Sequence, residues 1–191
     1  MDTSDHKYPL LETNRLVLRK VEEDDASSML KYLSDKEVMK YYGLEPFETM
    51  EEALGELSWY ESIRNNTTGI RWGITLKEEN EVIGSCGFFN KNLQHYRTEI
   101  GYELHRSYWG QGIAGEALGA IIAYGFESME LQRIEALIEP ANTPSLTLVE
   151  KQGFVREGLL RNYEFTGGKF DDLCMYSLLK QDFKKLRKDT V

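Results

Sequence analysis

Three glycines in the stretch WGQGIAGEA, at positions 110, 112 and 115, form the pattern in this chain that most directly suggests ligand chemistry. The spacing G-x-G-x-x-G lets a backbone approach a pyrophosphate closely. A helix that begins at such a loop also presents unpaired N–H groups, which hold a phosphate without a lysine. From His105 to Gly115 the chain has one Arg and no acidic residue, although it is acidic elsewhere. This contrast favours a phosphate site over a tight turn that binds nothing.

The surrounding sequence argues against NAD and ATP as that ligand. A Rossmann turn places its first glycine directly after a continuous apolar strand. Here the five residues HRSYW separate Leu104 from Gly110, and the preceding strand alternates between apolar and polar residues. Glu135 lies where a ribose-binding acid would be expected, but Asp and Glu make up 32 of the 191 residues, so we attribute this match to chance. A P-loop requires Gly-Lys-Ser/Thr, whereas residues 115–117 are Gly-Glu-Ala.

Periodicity predicts the strands that must position this loop. Alternating apolar residues indicate strands at 15–21, 71–77, 81–90, 96–104 and 133–139, and two further strands flank the TGG turn at 166–168. Along 96–104 the alternation places Glu99 and Glu103 on one face and Tyr102 and Leu104 on the other.

Capping signals predict four helices, which begin at Asp24 or Asp25, at the Thr49 and Glu52 capping box, at the glycine loop and at Thr143. Pro144 in the first turn and Gly153 after the last turn bound the fourth helix. The expected fold is a single α+β domain over residues 1–191, with a core at about 10–180 and a basic tail at 180–191. Its sheet would be mixed and mostly antiparallel, with about seven strands and helices on both faces.

The charge balance and the cysteines restrict the partners and the compartment. The net charge of −9 is concentrated in residues 1–65, which hold 15 acidic and 8 basic residues. Nucleic acid is therefore not expected as a direct ligand, because phosphate contacts need a positive surface. No stretch has the length of a membrane span and the N-terminus lacks a signal-peptide pattern, which predicts a cytoplasmic protein. Cys86 and Cys174 lie in apolar runs without metal-ligand spacing, so we expect buried free thiols and no metal.

Four stretches, in order and spacing, resemble the GNAT superfamily of acetyl-CoA-dependent N-acetyltransferases. WGQGIA is similar to the superfamily's pyrophosphate loop, Arg/Gln-x-x-Gly-x-Gly/Ala, at Gly112 and Ala114, with Trp109 in the first slot. ETNRLVLRKVEEDD resembles the first strand and turn of the branch of ribosomal-protein alanine acetyltransferases. EIGYEL resembles that branch's fourth strand, and NTPSLTLVEKQGFVREG its Asn-x-x-Ser helix and following strand. The likeness covers about residues 10–180.

The resemblance implies acetyl-CoA as the co-substrate, with no metal. The backbone of the glycine loop would bind the pyrophosphate, and the side chain of Asn142 would hold the CoA arm. The superfamily's fourth and fifth strands splay apart, so a backbone N–H near Leu104 would polarise the thioester carbonyl. The implied cofactor-binding residues are Leu104, Gly110, Gln111, Gly112, Ile113, Ala114, Gly115 and Asn142.

Acetyl transfer from a thioester requires a neutral amine and a proton for the departing thiolate. An α-amine with a pKa near 8 is about a tenth neutral at pH 7, whereas a lysine is only about 0.04% neutral, so a base matters more for lysine. The resemblance implies Ser145 as the acid, because the branch places a serine near the sulfur, and Glu164 as the base. Many other members use a tyrosine as the acid. Glu103 and Glu99 compete as bases that act through a water.

The expected activity is N-acetylation of a primary amine by direct transfer, foremost the α-amine of a protein N-terminus as in the branch that the chain resembles. Small amines such as an aminoglycoside, a polyamine or an amino acid are the alternative acceptors. A non-catalytic CoA-binding sensor module is a third possibility. Neither a membrane nor nucleic acid is expected as a partner, and the protein is expected to be a monomer or a homodimer.

Overall fold

Eight strands form one central sheet in the computed structural model, which describes residues 8–188. The strands are β1 (Leu11–Glu12), β2 (Leu16–Arg19), β3 (Ile70–Leu76), β4 (Gly84–Asn92), β5 (Arg97–Leu104), β6 (Arg133–Ile138), β7 (Val155–Thr166) and β8 (Lys169–Leu179). The helices are α1 (Ala26–Leu33), α2 (Lys36–Met39), α3 (Met50–Asn65), α4 (Ile113–Glu127), α5 (Thr143–Lys151) and α6 (Lys180–Lys188). Short 3-10 turns precede α1 and follow β5.

The order of the strands in the sheet is β1-β2-β3-β4-β5-β6-β8-β7. Every neighbouring pair is antiparallel except β5 and β6, which run parallel. This confirms the mixed, mostly antiparallel α+β sheet. The sheet has one strand more than the seven predicted. The additional strand is β1, whose two residues are too few for the alternation that identifies strands in a sequence.

Helices cover both faces of the sheet and enclose two hydrophobic cores. Trp72 of β3 belongs to the core under α4 and α5, where its ring meets the edge of Tyr124 with the ring centroids 5.4 Å apart. Met29 of α1 and Leu57 of α3 belong to the second core, on the opposite face. The alternation predicted for β5 is confirmed, because Leu104 lies in the first core while Glu103 faces α3.

The capping box of α3 is confirmed, and the predicted cap of α5 is wrong by one residue. Thr49 Oγ1 accepts from the N–H of Glu52, and Glu52 Oε2 accepts from the N–H of Thr49 at 2.8 Å. In α5 the N-cap is Asn142, whose Oδ1 accepts from the N–H of Ser145, so Thr143 is the first helical residue. Asn caps at least as well as Thr, and a proline in the first turn is compatible with either.

The cap predicted for α1 is also different in the structure. Asp25 occupies the N-cap position but its carboxylate makes no capping hydrogen bond to α1. It accepts instead from the N–H of Glu22 at 2.9 Å and forms an ion pair with Arg19 at 2.7 Å. The carboxylate therefore caps the preceding 3-10 turn and links it to β2.

The C-terminal segment is helical as far as the structure describes it, since α6 follows β8 directly. The predictions for the N-terminal signal region and for the end of the basic tail fall partly on residues 1–7 and 189–191, which lie outside the described residues. Between residues 8 and 188, no helix combines the length and apolar character that a membrane crossing needs. Cys86 and Cys174 are both buried and free, as predicted.

Candidate active site

The glycine loop leads into α4 with a set of unpaired N–H groups. Gly110 and Gly112 have φ angles of 73° and 76°, a conformation that favours glycine, and Gly112 is the N-cap of α4. The N–H of Glu116 donates to the carbonyl of Gly112 at 3.0 Å and starts the helical hydrogen bonding. Within residues 8–188, the N–H groups of 112–115 have no acceptor. Unpaired N–H groups at the start of a helix can hold an anion such as a diphosphate.

A gap opens in the sheet between β5 and β6, next to this loop. The two strands pair only where residues 97–99 face 133–135, and the rest of β5 continues along β4 alone. At the end of β5, the N–H of His105 donates to the carbonyl of Ile83 on the β4 side at 2.7 Å. Because the backbone groups of a strand alternate between its two edges, the N–H of Leu104 points into the gap.

Trp109 connects the start of the glycine loop to the end of β5. Its Nε1 donates to the carbonyl of Leu104 at 2.7 Å. The peptide group that follows Leu104 is therefore held at both ends, by Trp109 and by the carbonyl of Ile83. Trp109 departs from the loop pattern in sequence, and this contact gives it a structural role that the sequence does not indicate.

Ser145 lies in the first turn of α5, beside a tyrosine from β5. Its N–H donates to Oδ1 of Asn142 at 3.3 Å, so the Asn142 side chain is used as the helix cap. Ser145 Oγ lies 2.5 Å from Oη of Tyr102, which places the two hydroxyls in a hydrogen bond. Burial raises the pKa of Tyr102 to about 12, so its hydroxyl is protonated at neutral pH.

Tyr102 is the residue at this site that the sequence reasoning missed. Its position on β5, on the same face as Ile100 and Leu104, is typical of a core residue, and the ring does pack against that core. Only the tertiary packing of α5 on the sheet brings Ser145 to its hydroxyl. The signal in sequence is the polar tip of a tyrosine on an otherwise aliphatic face, since a buried hydroxyl usually finds a hydrogen-bond partner.

Glu103 is buried in a polar network under α3, with 5% of its surface exposed. The Arg71 guanidinium and the Ser85 hydroxyl both donate to its carboxylate, and Tyr60 Oη lies 3.4 Å from it. Arg71 is equally buried and also donates from Nε to Ser85 Oγ at 2.7 Å. Burial raises the pKa of the Glu103 carboxyl, and Arg71 opposes that rise. Both oxygens of Glu103 are therefore engaged inside the protein.

Glu164 lies on the exposed side of β7 and shares its surroundings with two other carboxylates. A Cβ added at Gly43 would lie 3.9 Å from its Oε1, so the loop after α2 passes close to it. Burial raises the pKa of Glu99, and the nearby Glu135 and Glu164 raise it further. Burial likewise raises the pKa of Glu139, and neighbouring carboxylates including Glu164 add to that rise. We call Glu99, Glu139 and Glu164 the acidic rim.

The structure thus brings some of the predicted site residues together and separates others. Asn142 and Ser145 share the start of α5, and Leu104 contacts the loop residue Trp109. In the described part of the chain, no hydrogen bond joins Glu164 to Ser145 or to Glu103. Residues 8–188 also contain no group of three or more His, Cys, Asp or Glu that could hold a metal ion.

Comparison with known proteins places the chain in a family. Residues 15–155 match the acetyltransferase (GNAT) domain. The uncharacterized N-acetyltransferase p20 of Bacillus licheniformis is 44% identical over 173 residues, which cover 91% of this chain and 97% of that protein. The ribosomal protein uS5-alanine N-acetyltransferase of Escherichia coli is 26% identical over 182 residues, covering 91% of this chain and 92% of the relative.

A solved structure agrees with these matches. The crystal structure of a GNAT acetyltransferase from Bacillus anthracis superposes with a TM-score of 0.81 at 31% identity and covers 91% of this chain and 99% of its own. The gap between β5 and β6 and the unpaired N–H groups at the start of α4 correspond to features that the resemblance of the sequence implied. The chain belongs to the GNAT acetyltransferase family and is an acetyl-CoA-dependent N-acetyltransferase.

Proposed function

We propose that this enzyme acetylates the α-amine of a protein N-terminus. The observation that carries the acetyl-CoA part of this proposal is the set of unpaired N–H groups at residues 112–115 beside the gap between β5 and β6. The loop from Gly110 to Gly115, with the backbone of Gln111, Ile113 and Ala114, would hold the diphosphate of acetyl-CoA. The pantetheine arm would then run along the free edge of β5 and bring the thioester to the N–H of Leu104, which acts as the oxyanion donor.

Ser145 acts as the general acid in this proposal, with Tyr102 behind it. Acetyl-CoA supplies a thioester, and its C–S bond breaks as the amine nitrogen bonds to the acetyl carbon. Ser145 Oγ gives its proton to the sulfur and takes one from Tyr102 Oη, 2.5 Å away. A phenol is a stronger acid than an alkyl hydroxyl, so Tyr102 supports the transfer, and water returns the proton to Tyr102.

Glu164 acts as the general base in this proposal. Its exposed position lets a water connect it to the incoming amine, whereas the oxygens of Glu103 are already occupied by Arg71 and Ser85. Glu103 remains the second candidate for the base, since it lies on β5 next to Leu104. Asn142 keeps α5 in place by capping it, which fixes Ser145 for proton transfer.

An α-amine suits this site better than a lysine side chain. About a tenth of such amines is neutral at pH 7, so an exposed carboxylate that acts through water is a sufficient base. The relative named for the alanine of ribosomal protein uS5 supports a protein N-terminus as the acceptor.

A small polyamine is the second candidate acceptor, and the acidic rim favours it. The Glu164 carboxylate contributes to the raised pKa of both Glu99 and Glu139, so a cation placed beside Glu164 would relieve that repulsion. A CoA-binding sensor without activity is the third candidate.

One experiment separates the three candidates. Purified enzyme is mixed with acetyl-CoA in a single turnover against a panel of peptides with free N-termini and of polyamines, and CoASH release is measured. We expect release with the peptides, and Glu164→Gln should slow it by about 100-fold. CoASH release with polyamines alone would make a polyamine the acceptor instead of a protein N-terminus. Binding of acetyl-CoA with no CoASH release in the presence of any amine or of a cell lysate would indicate the sensor.

A further inference from the structure

The pyrophosphate loop is fastened to the N-terminal strands by an arginine that none of the loop motifs includes. Arg15 lies directly before β2, with 48% of its side chain exposed. Its Nη1 donates to the carbonyl of Gln111 at 2.9 Å. Its Nη2 lies 3.5 Å from the position that a Cβ on Gly112 would take. The guanidinium therefore lies against the peptide group between Gln111 and Gly112.

Glu116, in the first turn of α4, holds Arg15 in this position. Its Oε2 accepts from Arg15 Nε at 2.6 Å, and its Oε1 accepts from the N–H of Arg15 at 2.8 Å. Thr13 Oγ1 donates to the same Oε1 at 2.5 Å. These bonds lower the pKa of the Glu116 carboxyl against the effect of its burial, which keeps it ionised. We call Arg15 and Glu116 the loop clamp.

The clamp fixes the direction of one N–H group of the anion site. In a trans peptide the carbonyl and the following N–H point in opposite directions. Because the carbonyl of Gln111 points at Arg15, the N–H of Gly112 points away from it, to the side on which residues 112–115 lack acceptors. Without the clamp this peptide could rotate, since Gly112 carries no side chain to restrict it.

We propose that Arg15, held by Glu116, is a positioning residue for the diphosphate of CoA. It orients the peptide between Gln111 and Gly112 and adds a positive charge on the far side of the loop. Trp109 occupies the slot where the loop pattern has Arg or Gln, and the cation beside the loop is Arg15, directly before β2. The inference rests on the CoA site of the proposed function but not on the identity of the acceptor.

Calorimetry with CoA, dephospho-CoA and pantetheine tests this proposal without an acceptor. Arg15→Ala should weaken the binding of CoA and of dephospho-CoA by about tenfold, which is the effect of one lost charge-assisted hydrogen bond. Binding of pantetheine, which has no phosphate, should not change. Glu116→Gln should reproduce the loss, and Arg15→Lys should restore part of it because it keeps the charge.

Lys77→Ala is the matched control. Lys77 follows β3 and pairs with Glu12 at 3.8 Å, and its side chain does not contact the loop. The substitution therefore removes the same charge as Arg15→Ala. The affinity of the Lys77→Ala variant for CoA should stay within twofold of that of the original protein. Equal weakening by Lys77→Ala would mean a general field effect, and loss of pantetheine binding in Arg15→Ala would mean general disruption of the site.

Further outcomes separate this inference from the proposed function. A loss with CoA but not with dephospho-CoA would assign Arg15 to the 3′-phosphate and overturn the role in the loop. If Arg15→Ala binds CoA as tightly as the original protein, the clamp has no role while the CoA site stands. If the original protein gives no heat with CoA, both the inference and the proposed function are wrong.

Discussion

Glu103→Gln is expected to destabilise the protein severely, because it leaves a buried cation without its partner. Only 3% of each side chain is exposed in the ion pair of Glu103 with Arg71. Removal of one partner from a buried pair costs about 3–5 kcal/mol, since the remaining charge stays desolvated. A domain of this kind has only about 5–15 kcal/mol of stability in total, so the loss is a large fraction of it.

Urea unfolding followed by circular dichroism measures this effect. With a slope of about 2 kcal/mol per molar urea, a loss of 4 kcal/mol lowers the midpoint by about 2 M. Glu99→Gln is the matched control, because Glu99 lies on the same strand and the same face and accepts a single hydrogen bond from Asn90 at 3.1 Å. Its midpoint should change by less than 0.5 M, or about 1 kcal/mol.

A double variant tests the physical cause. If the cost of Glu103→Gln comes from the isolated charge of Arg71, then Glu103→Gln combined with Arg71→Met should be less unstable than Glu103→Gln alone. Equal midpoints for Glu103→Gln and Glu99→Gln would refute the reasoning, and so would a double variant whose losses simply add. The folded fraction of Glu103→Gln should also keep kcat within about threefold, whereas loss of a base costs about 100-fold or more.

Three other variants follow from the site and its surroundings. Tyr102→Phe removes the hydroxyl beside Ser145 Oγ and should lower kcat, measured by CoASH release, about tenfold with an unchanged KM for acetyl-CoA. The double variant Tyr102→Phe/Ser145→Ala should have a kcat only slightly lower than that of Ser145→Ala alone. Strictly additive losses would contradict a shared proton path. Gly112→Glu should abolish calorimetric binding of CoA, because it places a side chain at a φ of 76° and a negative charge at the anion site. Hydrogen bonds from Arg133 and Ser177 lower the pKa of Glu157 to about 2. Its contribution to the free energy of unfolding is therefore present above the usual carboxyl pKa and is lost as the pH falls from about 5 to about 2. Because 42% of its side chain is exposed, Glu157→Gln should cost about 1 kcal/mol at pH 7 and nothing at pH 2, and an equal cost in urea unfolding at both pH values would contradict the assignment.

Local signals in the sequence were sufficient to predict most of the fold. The alternation along β5 correctly separated Glu103 from Tyr102 and Leu104, because each strand residue faces one side of the sheet. The capping box of Thr49 and Glu52 correctly marked the start of α3, since both of its hydrogen bonds lie within one turn.

Contacts between distant parts of the chain could not be predicted in this way. The partner of Glu103 is 32 positions earlier, on β3, and Arg15 meets Gln111 across 96 positions. Periodicity assigns a residue to a face but does not say which side chain lies opposite. The contact between Tyr102 and Ser145 was missed for the same reason, because Ser145 comes from a helix 43 positions later.

The limited pairing of β5 with β6 affects how well the enzyme resists local unfolding and proteolysis when no CoA is bound. Beyond residues 97–99 the two sides of the sheet are not joined by a ladder of backbone bonds, so this seam is a place where local opening can start. A pantetheine arm in the gap would supply some of those bonds and act as a replaceable strand. We therefore expect proteases to cut the empty enzyme faster than the CoA-loaded enzyme, and its lifetime to depend on the supply of its own co-substrate.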